Sequence, residues 1–363
     1  MDNIYYIESD NLNIFFNKLK NIYKVFSPVI KDQNAKEIDY SYKDSSNNDP
    51  LIFNGYRTVQ PLKSFFTYPY EKVTDYFVSE KNITNITDKT VVFGVKSCDI
   101  AGHKVQDFVF LEGVDVDSLY QLRRENTILI SGDCTDFKEV CHCLAWEILP
   151  YPTDGFDLNL SPLNDGYLVE VGSKMGEEII GKSKEYFVLA KETQVSARKT
   201  KRESFVERLK SHLLGQNLVS KDTVQRLVKQ GYNLDTWQQF MLTCVECGGC
   251  NLICDTCHCF LLADKPSSCT QGLGKKSDDQ NAKVRLWDSC LYANYARVAG
   301  GANPLKARAQ RLRNRFMKKF DFFVDNLKVP ACCGCGRCIE VCPGKIDIRE
   351  VLKDLAKKLQ NTK

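Results

Sequence analysis

No apolar run in this sequence approaches the ~20 residues that a membrane span needs. The opening stretch, MDNIYYIESDN, lacks the basic-then-apolar order of a signal peptide, so a cytoplasmic location is expected. No Gly-x-Gly-x-x-Gly follows a candidate strand and no Walker loop occurs, so the chain brings no evident cradle for a dinucleotide or ATP. There is no obvious acid–base constellation either, which counts against a self-contained reductase. The net charge of +4 is too small to call for nucleic acid.

What the chain does have is cysteine: 17 among 363 residues. A reducing compartment disfavours disulfides, the odd total fits a disulfide framework poorly, and close-set Cys-x-x-Cys runs there hold metal or do redox work. The length allows two domains, and a hydrophobic content of 43% is ordinary for a globular protein.

The pattern predicts an α+β chain. An N-terminal mixed α/β domain over 1–190 is followed by a helical linker over 191–240 and a helical dicluster ferredoxin-like domain over 241–363. Leu12, Phe15, Leu19 and Ile22 recur at helical spacing behind Ser9 and Asp10, either of which suits a cap. TVVFGV (90–95), TILIS (127–131), YLVEVG (167–172) and YFVLA (186–190) suit strands. In the linker, Ser204 with Glu207 reads as a capping box with Gly215 as the stop, and further helices are expected over 220–231 and from Asp235 through Met241. Leu305, Ala309, Leu312, Phe316, Phe320, Phe323 and Leu327 predict one long amphipathic helix between the two cysteine motifs.

Those motifs are CVECGGCNLIC (244–254) and CCGCGRCIEVC (332–342), the second followed by Pro343. Cys-x2-Cys-x2-Cys-x3-Cys is the spacing that wraps thiolates around a 4Fe–4S cube, and in two-cluster ferredoxins the fourth cysteine ligates the other cube. Cluster 1 would then take Cys244, Cys247, Cys250 and Cys342, and cluster 2 would take Cys332, Cys335, Cys338 and Cys254. Zinc also takes Cys-x2-Cys pairs but needs only two of them, whereas each motif offers three regular thiols and a fourth. Asp255 stands where ordinary ferredoxins carry a proline, and its presence is expected to loosen the loop or alter the field at the nearby cluster.

Four more cysteines, Cys98, Cys134, Cys141 and Cys143, sit in VKSCDIAG, SGDC and VCHC, two of them just past candidate strands. Loops at the carboxyl ends of neighbouring strands converge on one site, so these thiols suit a third 4Fe–4S cluster, with zinc as the alternative. His103 and His142 lie nearby, though a histidine is more often a surface or core residue than a ligand. Cys333, Cys269 and Cys290 read as small apolar side chains. Cys257 and Cys259 are left without an assigned role. Between Asp288 and Asp321 no acidic residue occurs, while Arg297, Lys306, Arg308, Arg311, Arg313, Arg315, Lys318 and Lys319 are basic. Such a run binds phosphate in some proteins; here negative cubes nearby supply a more specific cause.

Taken together, these residues resemble the iron–sulfur β subunits of cytoplasmic sulfhydrogenases (soluble nickel–iron hydrogenases) and, as a sister family, the A subunit of anaerobic sulfite reductase. The likeness runs through VVFGVKSCDIAGHKVQDFVFLEG, RRENTILISGDC, VCHCLA, both ferredoxin motifs, RLWDSCLY and VAGGANPLKARAQRLRNRF. It implies an electron-transfer subunit that passes electrons between a flavoprotein handling NAD(P)H and a catalytic subunit such as a hydrogenase. An anaerobic sulfite reductase, or a heterodisulfide-reductase or electron-bifurcating complex, is the other setting it allows. It also matches Cys98, Cys134, Cys141 and Cys143 to the family's N-terminal cysteine set. Ala302 and Pro304 depart from the His and Phe that hydrogenase relatives carry, which puts the particular partner enzyme in doubt.

Overall fold

The computed structural model describes residues 4–32, 38–45, 49–75, 89–265 and 282–361. The chain opens with β1 (Ile4–Glu8), α1 (Ser9–Ile22), β2 (Lys24–Asp32), β3 (Asp39–Asp44) and β4 (Tyr70–Asp75). It continues through β5 (Thr90–Val95), α2 (Ser97–Leu111), α3 (Ser118–Glu125), β6 (Thr127–Gly132), β7 (Leu158–Pro162) and β8 (Gly166–Val171). Then come α4 (Lys174–Gly181), β9 (Val188–Leu189) and α5 (Glu192–Leu213).

Eight of these strands form one sheet in the order β3-β2-β5-β6-β7-β8-β1-β9. The central run β2, β5, β6, β7 is parallel, and its flanks are antiparallel. Strands β5 and β6 are buried along almost their whole length. That is why they read as continuous apolar runs instead of alternating ones. One face packs Leu12, Phe15, Phe16 and Leu19 of α1 with Ile179 and Ile180 of α4. The other packs Ile100 and Phe110 of α2 with Tyr120 of α3. Helix α1 begins at Ser9 itself, with Glu8 in the cap position and no side-chain cap bond, so neither Ser9 nor Asp10 caps it.

The C-terminal half adds α6 (Lys221–Gln230), α7 (Thr236–Met241), α8 (Gly249–Leu252), β10 (Phe260–Lys265), β11 (Ala282–Trp287) and α9 (Arg308–Met317). It closes with α10 (Phe323–Leu327), α11 (Arg337–Glu340) and α12 (Ile348–Asn361). A π-helical turn over Lys318–Phe322 joins α9 to α10, so the expected long helix exists as one rod from Arg308 to Leu327. Its apolar side, Leu312, Phe316 and Phe320, shares one core with Val351, Leu352 and Leu355 of α12.

Packing divides the expected linker in two. Val224, Val228 and Trp237 of α6 and α7 belong to that same C-terminal core. Helix α5 instead lies against the N-terminal sheet and runs unbroken through Ser204 and Glu207. The capping box read there is therefore interior helix; Gly215 does follow the helix end, at φ +84°. The hairpin β10–β11 was not anticipated, and it pairs with β4, tying an N-terminal strand into the C-terminal half.

Candidate metal centres

The two cysteine motifs fold alike. In each, a glycine with positive φ, Gly248 at +71° and Gly336 at +73°, turns the chain into a one-turn helix, α8 or α11. A Cβ at Gly248 would lie 2.7 Å from the Tyr292 ring, and one at Gly336 would meet Val140 at 2.4 Å. Glycine is required at both places for backbone and for space.

Cys244, Cys247, Cys250, Cys338 and Cys342 line one pocket, so the structure brings the last two thiols of the second motif to the first three of the other. Cys254 in turn lies in the electrostatic field of Cys332, Cys335 and Cys338, the second set. Burial pushes the Cys332 thiol up to about 11 and raises Cys338 further. Cys335 is pulled down to about 6, chiefly by a hydrogen bond from Cys333.

Two cations of the long rod face these thiols. Burial alone would lower the pKa of Arg315 and of Lys319, yet both are raised, Arg315 by Cys250 and Cys338 and Lys319 by Cys254 and Cys257. Lys319 Nζ lies 3.3 Å from Cys254 Sγ and 2.8 Å from Thr256 Oγ1. Arg315 Nε donates to Asn251 Oδ1 at 2.7 Å. The π turn begins next to Lys319; such turns re-aim side chains out of the regular helical register. The rest of the basic run is dispersed. Arg311 pairs with Glu246, and Arg308 donates to the Cys244 carbonyl at 2.7 Å.

The N-terminal thiols also converge. Cys98 opens α2 after β5 and Cys134 follows β6, at the carboxyl ends of neighbouring parallel strands. With Cys141, Cys143 and Cys335 they line one pocket. Burial pushes the Cys134 thiol up to about 12 and raises Cys98, Cys141 and Cys143 as well. Lys96 is buried beside them, held by the Asp133 carbonyl at 3.0 Å. Arg57 donates to the Cys335 carbonyl at 2.9 Å. The two halves touch at backbone level: His142 N–H donates to the Gly334 carbonyl at 2.8 Å, and a Cβ on Gly334 would lie 2.6 Å from Cys143 Cα.

Asp255 does the opposite of loosening its loop. It is fully buried; its carboxylate accepts from Arg337 Nη1 at 2.7 Å and from the Lys63 N–H at 3.1 Å. Arg337 also pairs with Asp99 of α2 at 2.6 Å and donates to the Thr58 carbonyl at 2.9 Å. Gly102 lets the two segments approach, since a Cβ there would sit 2.6 Å from Asp255 Cβ. One guanidinium thus fastens both ferredoxin motifs to the N-terminal domain. Sequence reasoning passed over Arg57, Lys63, Lys96, Asp99 and Arg337. The signal was partial: Arg337 lies inside CGRC, and Lys96 and Asp99 flank Cys98, but nothing local marks Arg57 or Lys63.

Of the remaining cysteines, Cys333 is buried against Cys98 and Cys335. Cys290 is buried and accepts from Asn251 Nδ2 at 3.2 Å. Cys257 Sγ reaches Asn251 Oδ1 at 3.6 Å. Cys259 is pulled down to about 4, first by a hydrogen bond from Cys290. Cys269 lies outside the described residues. His103 packs on Phe66 in the core, and His142 Nδ1 bonds the Val140 carbonyl at 2.9 Å.

The donor sets fit iron–sulfur clusters. Each offers soft thiols ringed around a space, and buried cations face them, ready to offset the negative charge of thiolates bound to metal. Among the described residues no three His, Cys, Asp or Glu side chains stand close enough together to hold a single metal ion. No helix among the described residues is long and apolar enough to cross a membrane.

Comparison with known proteins agrees with this chemistry. Residues 243–346 match the family described as 4Fe-4S dicluster domain. The chain is 30% identical over 351 residues to sulfhydrogenase 2 subunit beta of Pyrococcus furiosus, covering 96% of this chain and 97% of that protein.

Proposed function

The chain belongs to the family of sulfhydrogenase β subunits, an iron–sulfur electron-transfer subunit, and on that premise we propose that it relays electrons between a flavoprotein handling NAD(P)H and a catalytic subunit such as a nickel–iron hydrogenase. The observation that carries this reading is the shared position of Cys335, which belongs to the second ferredoxin set and also walls the N-terminal cavity. Three thiol sets in contact suit a relay; a structural role needs only one metal.

When bound, a 4Fe–4S cluster supplies one-electron storage at low potential. The chain's own residues hold and tune. Cys244, Cys247, Cys250 and Cys342 would hold cluster 1, and Cys332, Cys335, Cys338 and Cys254 cluster 2. Cys98, Cys134, Cys141 and Cys143 would hold a third. Arg315 and Lys319 favour the more negative, reduced state of the first two, and Lys96 and Arg57 do so at the third. The surrounding core excludes water and keeps these charges unscreened.

Anaerobically purified full-length protein should be brown, bleach with dithionite and regain its colour on oxidation. Absorbance that does not change on reduction would leave a structural role and end the electron-transfer reading. Copurification of the native complex, with subunits identified by mass, tests the two partners. The crossed ligand assignment has its own test. Cys342→Ser should remove the electron paramagnetic resonance signal of the cluster held by Cys244, Cys247 and Cys250 and leave the other. Loss of the 332–338 signal instead would show that each motif serves its own cluster.

A further inference from the structure

Helix α5 has an unusual inner face. Arg198, Arg202, Phe205 and Arg208 follow one another at steps of three and four, the spacing at which a packed helix carries apolar side chains, with Lys201 beside Arg202. Only Leu209 of its 22 residues is buried among those described. The cationic face leaves a cleft of about 500 Å³ between α5 and the sheet, within the roughly 300–1,000 Å³ of small-molecule sites. Pro150, Phe205 and Cys134 line both this cleft and the N-terminal thiol cavity, so the two adjoin at Cys134.

The charges of the cleft are unbalanced. Among the described residues its wall holds four cations, Arg198, Lys201, Arg202 and Arg208, against one carboxylate, Asp133. Arg202 takes up that carboxylate through two bonds, at 2.7 Å and 3.0 Å, and stacks 4.2 Å above the Tyr151 ring. Arg198 is steadied by Glu170 at 2.8 Å, which stands outside the wall. Arg208 pairs with Asp136 at 3.3 Å, also outside the wall, and Lys201 Nζ has a neutral partner, Asn164 Oδ1 at 3.1 Å. The wall therefore offers positive charge to an anion, an aromatic surface to a ring, and the outer side of a redox thiol.

We propose that this cleft binds a phosphate-bearing aromatic redox cofactor, its phosphate on Lys201 and Arg198 and its ring toward Tyr151 and Cys134. The absent glycine fingerprint excludes a cradle of backbone amides; here side-chain cations replace it. The proposal rests on the electron-transfer reading, since a cofactor beside Cys134 is where electrons would enter or leave the chain.

The test is calorimetry on anaerobic, cluster-loaded full-length chain, with flavin mononucleotide, riboflavin and inorganic phosphate as separate probes. Flavin mononucleotide should bind, riboflavin should bind about tenfold or more weakly for want of the phosphate, and phosphate should compete. Lys201→Gln and Arg198→Gln should each weaken flavin mononucleotide by about tenfold while iron content stays unchanged. Affinity should fall as salt rises. Equal binding of the two flavins, unchanged affinity in both variants, or phosphate binding without any flavin would each overturn the proposal. The same samples separate it from its premise. Clusters that bleach with dithionite while the flavin fails to bind would sink the cleft alone, and bound flavin beside clusters that do not bleach would sink the relay.

Discussion

Arg337→Ala should cost the protein several kcal/mol and most of its soluble, iron-loaded yield. The guanidinium is completely buried and faces two buried carboxylates, Asp99 at 2.6 Å and Asp255 at 2.7 Å. Taking one partner from a buried ionic group costs about 3–5 kcal/mol, because the remaining charge has no water to turn to. Domains of this kind are stable by only about 5–15 kcal/mol in all. The loss falls where the two motifs meet α2, so cluster content should drop together with the melting temperature. Asp255→Asn is the control. It keeps the shape and one hydrogen bond to Arg337, and burial beside Asp99 already holds the Asp255 carboxyl well above the usual carboxylate range, so it should be the milder change. Asp255→Pro, which would restore the residue usual in ferredoxins, should behave like Arg337→Ala, since it strips Arg337 and the Lys63 N–H of an acceptor together. An Arg337→Ala protein that melts like the parent would show that the triad contributes nothing.

The same triad marks where the sequence stops being legible. The cysteine spacings could be read because ligation by a short loop is a local property, and the glycines at 248 and 336 impose the same turn twice. The parallel strands were visible as apolar runs and the rod 308–327 as a stripe of period three to four. Asp255 was read through its own loop, as a missing proline, when its partners lie 82 and 156 positions away at Arg337 and Asp99. Arg57 and Lys63 sit in an irregular stretch with no periodicity, and their work is to bond the Cys335 and Cys257 carbonyls across the domain junction. The capping box at Ser204 failed for a related reason. A Ser-x-x-Glu pair is common on any exposed helix, and α5 is exposed along nearly its whole length. The pairing of β4 with β11 spans most of the chain, and no local pattern announces it.

Full-length protein purified without oxygen should contain about twelve irons, and the Cys98→Ser, Cys143→Ser double variant about eight, at four per cluster. The argument rests on charge. Without metal, burial holds Cys98, Cys141 and Cys143 above the usual thiol range and Cys134 at about 12, so these four thiols would be neutral. Lys96, beside the Asp133 and Asp99 carboxylates, and Arg57, paired with Glu340, are two buried cations that would then face neutral thiols. A cluster with four thiolates supplies the missing negative charge and explains why both cations are kept out of water. Two serines are specified because one oxygen ligand can stand in for a thiolate and leave the iron count unchanged. The eight irons of the ferredoxin sets should survive, since Cys98 and Cys143 belong to neither. Their signals should shift slightly, because Cys335 shares its cavity with the altered thiols. Eight irons and one zinc in the parent would give the same thiols to a structural ion, and eight irons with no zinc would leave them as a thiol cluster held by the fold. Either count in the parent overturns the third site, and with it the place of Cys134 as a port for electrons.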